Sequence, residues 1–315
     1  MRHIFRHFPT GLIPALLFLL LAASGCSVNR FVMNGVGNAL SSGGGTVFTS
    51  DDDIRLVGDA LPFALKLYES VLEGAPDNPG LLLATGKLCV MYSFAYIQTP
   101  AEMLADTEIE AQLAQLKRAR NLYVRGAKYG MRSLEIGHRG FTNAFRYAGL
   151  ETFLKKSFKK KSDAQSLYWT GMAWMGAYTA DKFDMSLSVN SSKAVKLINR
   201  AFVLDETMDG GSIHEFYVTY YGALPAEMGG SEKKAREHFK RAVEISKGLK
   251  AGPYLSLASS VCVNRQDRAG FVSLLEEALA IDPDADPANR LVNLINQEKA
   301  RWMLDNIDRF FLSDR

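Results

Sequence analysis

From Leu61 to Phe311 the apolar residues return at three- and four-residue steps, and no window alternates long enough for a half-buried strand. Leu61, Ala64, Leu65, Tyr68, Val71 and Leu72 set the pattern. It recurs over residues 81–97, 164–183, 213–228, 235–245, 254–263, 271–281 and 291–311. An apolar stripe of that period must be buried against other helices, so an all-α fold is expected.

Within these segments a spacing recurs: a small or apolar residue, a larger one four later, a small one seven later and Pro twelve later. Ala64, Tyr68, Val71 and Pro76 fit it, as do Phe271, Leu275, Ala278 and Pro283. Ala194, Ile198 and Ala201 fit in part, and so do Ala235, Phe239 and Ala242. The starts at Ala194, Ala235 and Phe271 lie 41 and 36 residues apart, near the roughly 34-residue tetratricopeptide period. Small residues let paired helices approach, and proline ends the second helix of a pair. The expectation is a set of degenerate tetratricopeptide-like helical repeats stacked into one domain over residues 50–315.

The N-terminus has a different logic. Arg2 and Arg6 precede an apolar run over residues 12–22, broken once by Pro14 and followed by Ala22, Ala23, Ser24, Gly25 and Cys26. The run is short for a bilayer span and reads as a signal peptide over residues 1–25. No later stretch reads as apolar enough to span. Ala23-Ser24-Gly25-Cys26 resembles a lipobox, with Ala23 where Leu is commoner, so Cys26 is the expected lipidation site. Two or three acyl chains there would anchor the protein stably. Residues 26–49, with their Ser/Gly run, then read as a lipidated flexible tether reaching roughly 25–30 Å. Ser50 reads as the N-cap of the first helix, with Asp51, Asp52 and Asp53 over its first turn rather than as a metal site. The net charge is +3, of which two come from Arg2 and Arg6, too balanced for nucleic-acid binding. Cys89 and Cys262 lie in apolar helical patterns and read as two free buried thiols.

Four stretches together are similar to one family. They are residues 50–98, 167–178 (LYWTGMAWMGAY), 210–246 and 300–311 (ARWMLDNIDRFF). In that order they resemble the T-component lipoproteins of tripartite ATP-independent periplasmic (TRAP) transporters, which also begin with a lipobox and a Gly/Ser tether. Residues 91–97 depart from the family's more regular Tyr/Ala pattern. The resemblance implies a lipid-anchored periplasmic protein, a homotrimer, an apolar cleft or pore through each protomer, and a periplasmic solute-binding protein as partner. The function expected is that of an accessory component of such a transport system; the alternative is an envelope scaffold lipoprotein. Ser27 after the cysteine favours the outer membrane by the common sorting rule.

Chemical motifs are missing. His214-Glu215 opens a zinc-protease pattern, but Val218 stands where the second histidine belongs. Ser157 and Lys160 match Ser-x-x-Lys by letters alone, and Gly210-Gly211-Ser212 lacks the closing glycine of a nucleophile elbow. His138, His214 and His238 are scattered in sequence. No enzyme, metal or cofactor is expected. Lys155, Lys156, Lys159, Lys160 and Lys161 form a charge run that reads as a solvated helix end or as attraction to anionic head groups. The aromatic residues near 168–178 and 216–221 are too many and too spread around their helices to face a single core. Trp169, Tyr178, Tyr217 and Tyr221 are therefore expected to line a cleft for a ligand or partner.

Overall fold

A computed structural model describes residue 30, residues 32–41 and residues 45–312, and among them there are helices and no strands. The chain is all-α. Cys26 lies outside the described residues, but the segment after it departs from the tether expectation. Residues 32–41 form a helix, α1, and Gly45–Thr49 forms a short α2. Helix α1 packs on the body: Asn78 donates to the side chains of Asn34 at 3.2 Å and Asn38 at 2.9 Å, and Tyr68 donates to the Leu40 carbonyl. Met33 and Leu40 join a cluster with Tyr68, Leu81 and Leu82. These apolar residues make docking cheaper than solvation.

Helix α3, Ile54–Gly74, is capped by Asp53, whose carboxylate accepts from Leu56 N at 2.9 Å, not by Ser50. Ser50 instead donates its backbone N–H to Thr46 and closes α2. Asp51 accepts from Asp53 N, so the aspartates act as turn and cap groups. Helix α4, Pro79–Ser93, starts at cap Asn78 with Pro79 at its first position. It continues through a π turn at Phe94–Gln98 into α5, Thr99–Glu102. Pro79–Glu102 is by length and composition apolar enough to cross a bilayer, which corrects the reading that nothing after the leader could. Its composition follows from its place, because α4 is packed against α3, against α6 (Ile109–Gly137) and against α9 (Asp163–Ala180).

Between α6 and α9 lie two short helices, α7 (Phe141–Arg146) and α8 (Leu150–Ser157). They bring Phe141, Phe145, Leu154 and Phe158 against Leu134 and Leu167. The chain then runs through α10 (Met185–Leu204), α11 (Met208–Ala223), α12 (Glu232–Ile245) and α13 (Gly252–Leu257). A second π turn, Ala258–Cys262, leads into α14 (Val263–Arg265), followed by α15 (Arg268–Leu279) and α16 (Arg290–Asp305). Helices α9 and α10 pack together, as do α11 and α12, and α15 and α16.

The recurring spacing falls on α3, α10, α12 and α15, whose positions in it are buried except for the half-buried Phe239, while Pro76 and Pro283 follow their helices and are half-buried. Helix α6 carries it too, as Ala119, Tyr123 and Gly126, a match the sequence reading passed over. A Cβ on Gly126 would lie 2.9 Å from both Cys89 Cβ and the Gly86 carbonyl, so α4 and α6 touch through their backbones. Cys89 and Cys262 are free and buried. Burial pushes the Cys89 thiol up to about 12, which keeps it unreactive.

Helix α16 returns to α3. Leu291 packs with Val57 and Leu61, Arg290 donates to the Ser50 carbonyl at 3.2 Å, and Lys299 pairs with Glu102 at 3.1 Å. Helices α4, α9, α11, α13 and α16 each touch the next along this path.

Candidate functional site

The first turn of α11 holds the most unusual backbone among the described residues. Asp209, Gly210 and Gly211 have successive φ values of 46°, 63° and 85°. Two glycines adopt this region freely, whereas Asp209 does so at a cost of order 1–2 kcal/mol that local hydrogen bonds must offset. Those bonds are present. The Asp209 carboxylate accepts from Gln165 Nε2 at 2.8 Å and from Trp169 Nε1 at 3.2 Å. Its carbonyl accepts from Ser212 Oγ at 2.8 Å and from the Lys250 ammonium.

Lys250 is buried, 8% exposed, and also donates to Ser212 Oγ at 3.1 Å. Burial draws its pKa down, and Glu215, Asp209 and Asp286 oppose the change. Burial pushes Glu215 up, opposed by Lys250 and by a hydrogen bond from Ser256. The ammonium of Lys87 stands over the Trp169 ring at 4.7 Å. Residues from α4, α9, α11 and the α12–α13 connection therefore meet at one polar centre inside apolar packing. Tyr168 closes it from behind, donating to the Ser212 carbonyl at 3.3 Å.

Around this centre the four expected cleft residues divide. Trp169 is half-buried and packs against two separate apolar clusters. Tyr178 lies nine residues further along α9, half-buried among Val90, Tyr123 and Ala177. Tyr217, only 4% exposed, donates to Asn199 Oδ1 at 2.6 Å. Its ring stacks with Tyr221, centroids 5.7 Å apart, and the half-buried Tyr221 ring lies under the Lys234 ammonium. Two surface hollows of about 250 and 500 Å³ lie elsewhere, one beside Phe239 and Leu274, the other beside Leu65 and Tyr92.

Sequence reading missed one constellation. His214 and His238, taken as scattered, lie with their Nδ1 atoms 2.8 Å apart. Tyr217 and Tyr221 both stack on His238, and Phe202 meets both imidazoles edge-on. Glu206, bound by Arg241, approaches His214 Nε2 at 3.5 Å. His138 stands apart, 3.1 Å from Asp163 and against the Phe158 ring. Among the described residues no three His, Cys, Asp or Glu side chains converge as a metal site would require. A spacing of 24 residues between His214 and His238 carries no helical or strand period, so no local signal joins them.

Asp209 and Lys250 were not singled out either, and Glu215 entered only as part of an incomplete zinc-protease pattern. The Gly-Gly pair after Asp209 was the available signal for a left-handed turn. Compared with known proteins, residues 50–311 match the TRAP transporter T-component family. An uncharacterized protein of Treponema pallidum (strain Nichols) is 33% identical over 307 residues, covering 93% of this chain and 95% of that protein.

Proposed function

This chain belongs to the TRAP transporter T-component family, and from that premise we propose that it is a lipid-anchored periplasmic accessory subunit that captures the solute-binding protein of its transporter. Membership carries association with a TRAP transport system and a membrane-associated location. The finer parts of the reading, namely anchoring through Cys26, the outer membrane and a homotrimer, belong to the proposal.

The observation that carries it is the centre built on Asp209. A buried ammonium, two carboxylates and a half-buried tryptophan are held by helices that close from α16 back to α3. Such a centre is preorganised to hold the face of Trp169 and Lys87 at a constant geometry, which a recognition site needs. Trp169, with Tyr221 and Tyr178 on flanking surfaces and Tyr217 behind, would then meet a small apolar ligand or the tip of the partner. On α3, Leu56 and Phe63 are 58% and 73% exposed, and on α6 Leu113 is 59% exposed. They supply apolar surface that a second copy would cover.

The Ser212–Lys250 contact invites a hydrolase reading, and its geometry argues against one. A base must offer its lone pair to the serine proton, but Lys250 donates both to the Asp209 carbonyl and to Ser212 Oγ itself. Ser212 already gives its proton to that same carbonyl. The dyad is a brace.

The test is direct binding of the purified mature chain to the solute-binding protein of the same TRAP system. Saturable binding, weakened by substitution at Trp169 with the helical fold retained, supports the proposal. Absence of binding in both the presence and absence of solute favours the envelope-scaffold alternative.

A further inference from the structure

Resting on the lipid anchor proposed above, we infer that the end of the fold bearing Lys155, Lys156, Lys159, Lys160 and Lys161 faces the membrane and docks on anionic lipid head groups. The argument begins with the leash. Arg30 pairs with Asp77 at 2.6 Å in the α3–α4 turn, and α1 follows it onto the body. Cys26 precedes Arg30 by four residues, a span of about 14 Å when fully extended. An anchor at Cys26 therefore keeps the α3–α4 turn near the bilayer, no further than about 14 Å plus the length of the Arg30–Asp77 pair.

Hydrogen bonds and ion pairs lead from that turn to the lysines across one end of the helices. Arg132, near the end of α6, donates to the Pro76 carbonyl at 2.6 Å. His138, which ends α6, meets Asp163 at the start of α9 at 3.1 Å. Asp163 accepts from Lys160 N at 3.1 Å, and Lys161 reaches Asp205 past the end of α10 at 3.3 Å. All five lysines are exposed. The nearby carboxylates are engaged: Asp163 with His138, Asp205 with Thr207 and Lys161, and Asp77 with Arg30. The body should consequently tilt with its lysine side down. Each lysine brought to an anionic surface strengthens attachment about five-fold.

The mature, lipidated chain is reconstituted in vesicles of neutral phosphatidylcholine, and in vesicles containing phosphatidylglycerol. Exposed amines are labelled with a membrane-impermeant reagent and read by peptide mass. Lys117, exposed near the opposite end of α6, is the internal reference. The expected result is a fall of at least about five-fold in labelling at residues 155–161 relative to Lys117, in anionic vesicles only. Salt at about 0.5 M should reverse it by screening. Equal labelling in both lipids on a chain whose Cys26 carries lipid overturns the docking and leaves the anchor standing. A chain with no lipid on Cys26 overturns both.

Discussion

His214 and His238 face each other through their Nδ1 atoms at 2.8 Å, in a layer closed by Phe202, Tyr217 and Tyr221. Two facing nitrogens accommodate one proton, so one imidazole donates and the other accepts, and the two rings cannot both be protonated. Burial, reinforced by His214, lowers His238 to about 4. An unfolded histidine titrates near 6.5. Between those values the unfolded chain takes up a proton that the folded chain refuses. The pair's contribution is thus fully present above pH 6.5 and is lost as pH falls toward 4. With allowance for partial solvent access, that loss should be about 2 kcal/mol. Denaturant midpoints measured at pH 7.5 and 4.5 should show it, and His238→Phe should remove most of the difference.

Lys250→Met should be among the most destabilising single changes in the chain. It strips the ammonium from the Asp209 carbonyl and leaves Glu215 without its opposing charge. Losing the charged donor from the Asp209 carbonyl and from Ser212 Oγ should cost about 2–3 kcal/mol. Adding Glu215→Gln to Lys250→Met should recover part of that loss. Chemical denaturation of the four chains in a double-mutant cycle measures the coupling, and additive effects would contradict it.

Trp169→Phe separates recognition from packing better than truncation to alanine. The ring touches two apolar clusters, so alanine would create a void. Phenylalanine retains most of the packing and loses the bond to Asp209. A stability loss of about 1–2 kcal/mol is expected, with binding of the solute-binding protein reduced by more than that loss can explain. Isothermal titration alongside thermal melts checks both.

Gly126→Val should disrupt the contact between α4 and α6. Its first side-chain carbon would stand 2.9 Å from a backbone carbonyl, which cannot rotate away as a side chain can. Overpacking of this kind costs about 1–3 kcal/mol. Gly137→Ala is the control, because nothing lies within 4 Å of a Cβ there. Thermal melts of the two variants should differ clearly, with the control at or above the parent value.

The helices were legible because their signals are local. Apolar period decides which face of a segment must be buried, and groups such as Asn78-Pro79 and Ser231 mark helix starts within a few residues. Family membership was legible for a related reason, since its strings lie along the helices. Where a local signal was ambiguous the reading slipped: Ser50 and Asp53 both suit a cap, and the hydrogen bond to Leu56 chose Asp53. The short polar stretch after Cys26 looked like coil by composition, yet Met33 and Leu40 made one face of α1 apolar enough to dock.

The site itself was decided only by tertiary packing. Asp209 meets Trp169 across 40 residues, Lys250 meets Asp209 across 41, and His214 meets His238 across 24. Such pairings depend on how far one helix slides and turns against another. Small residues such as Gly211, which lies against Ile245 and Ala242 of α12, set such offsets through close approach. A one-dimensional pattern records which faces are buried and leaves that offset open, so aromatic surplus was visible in the sequence while its polar centre was not.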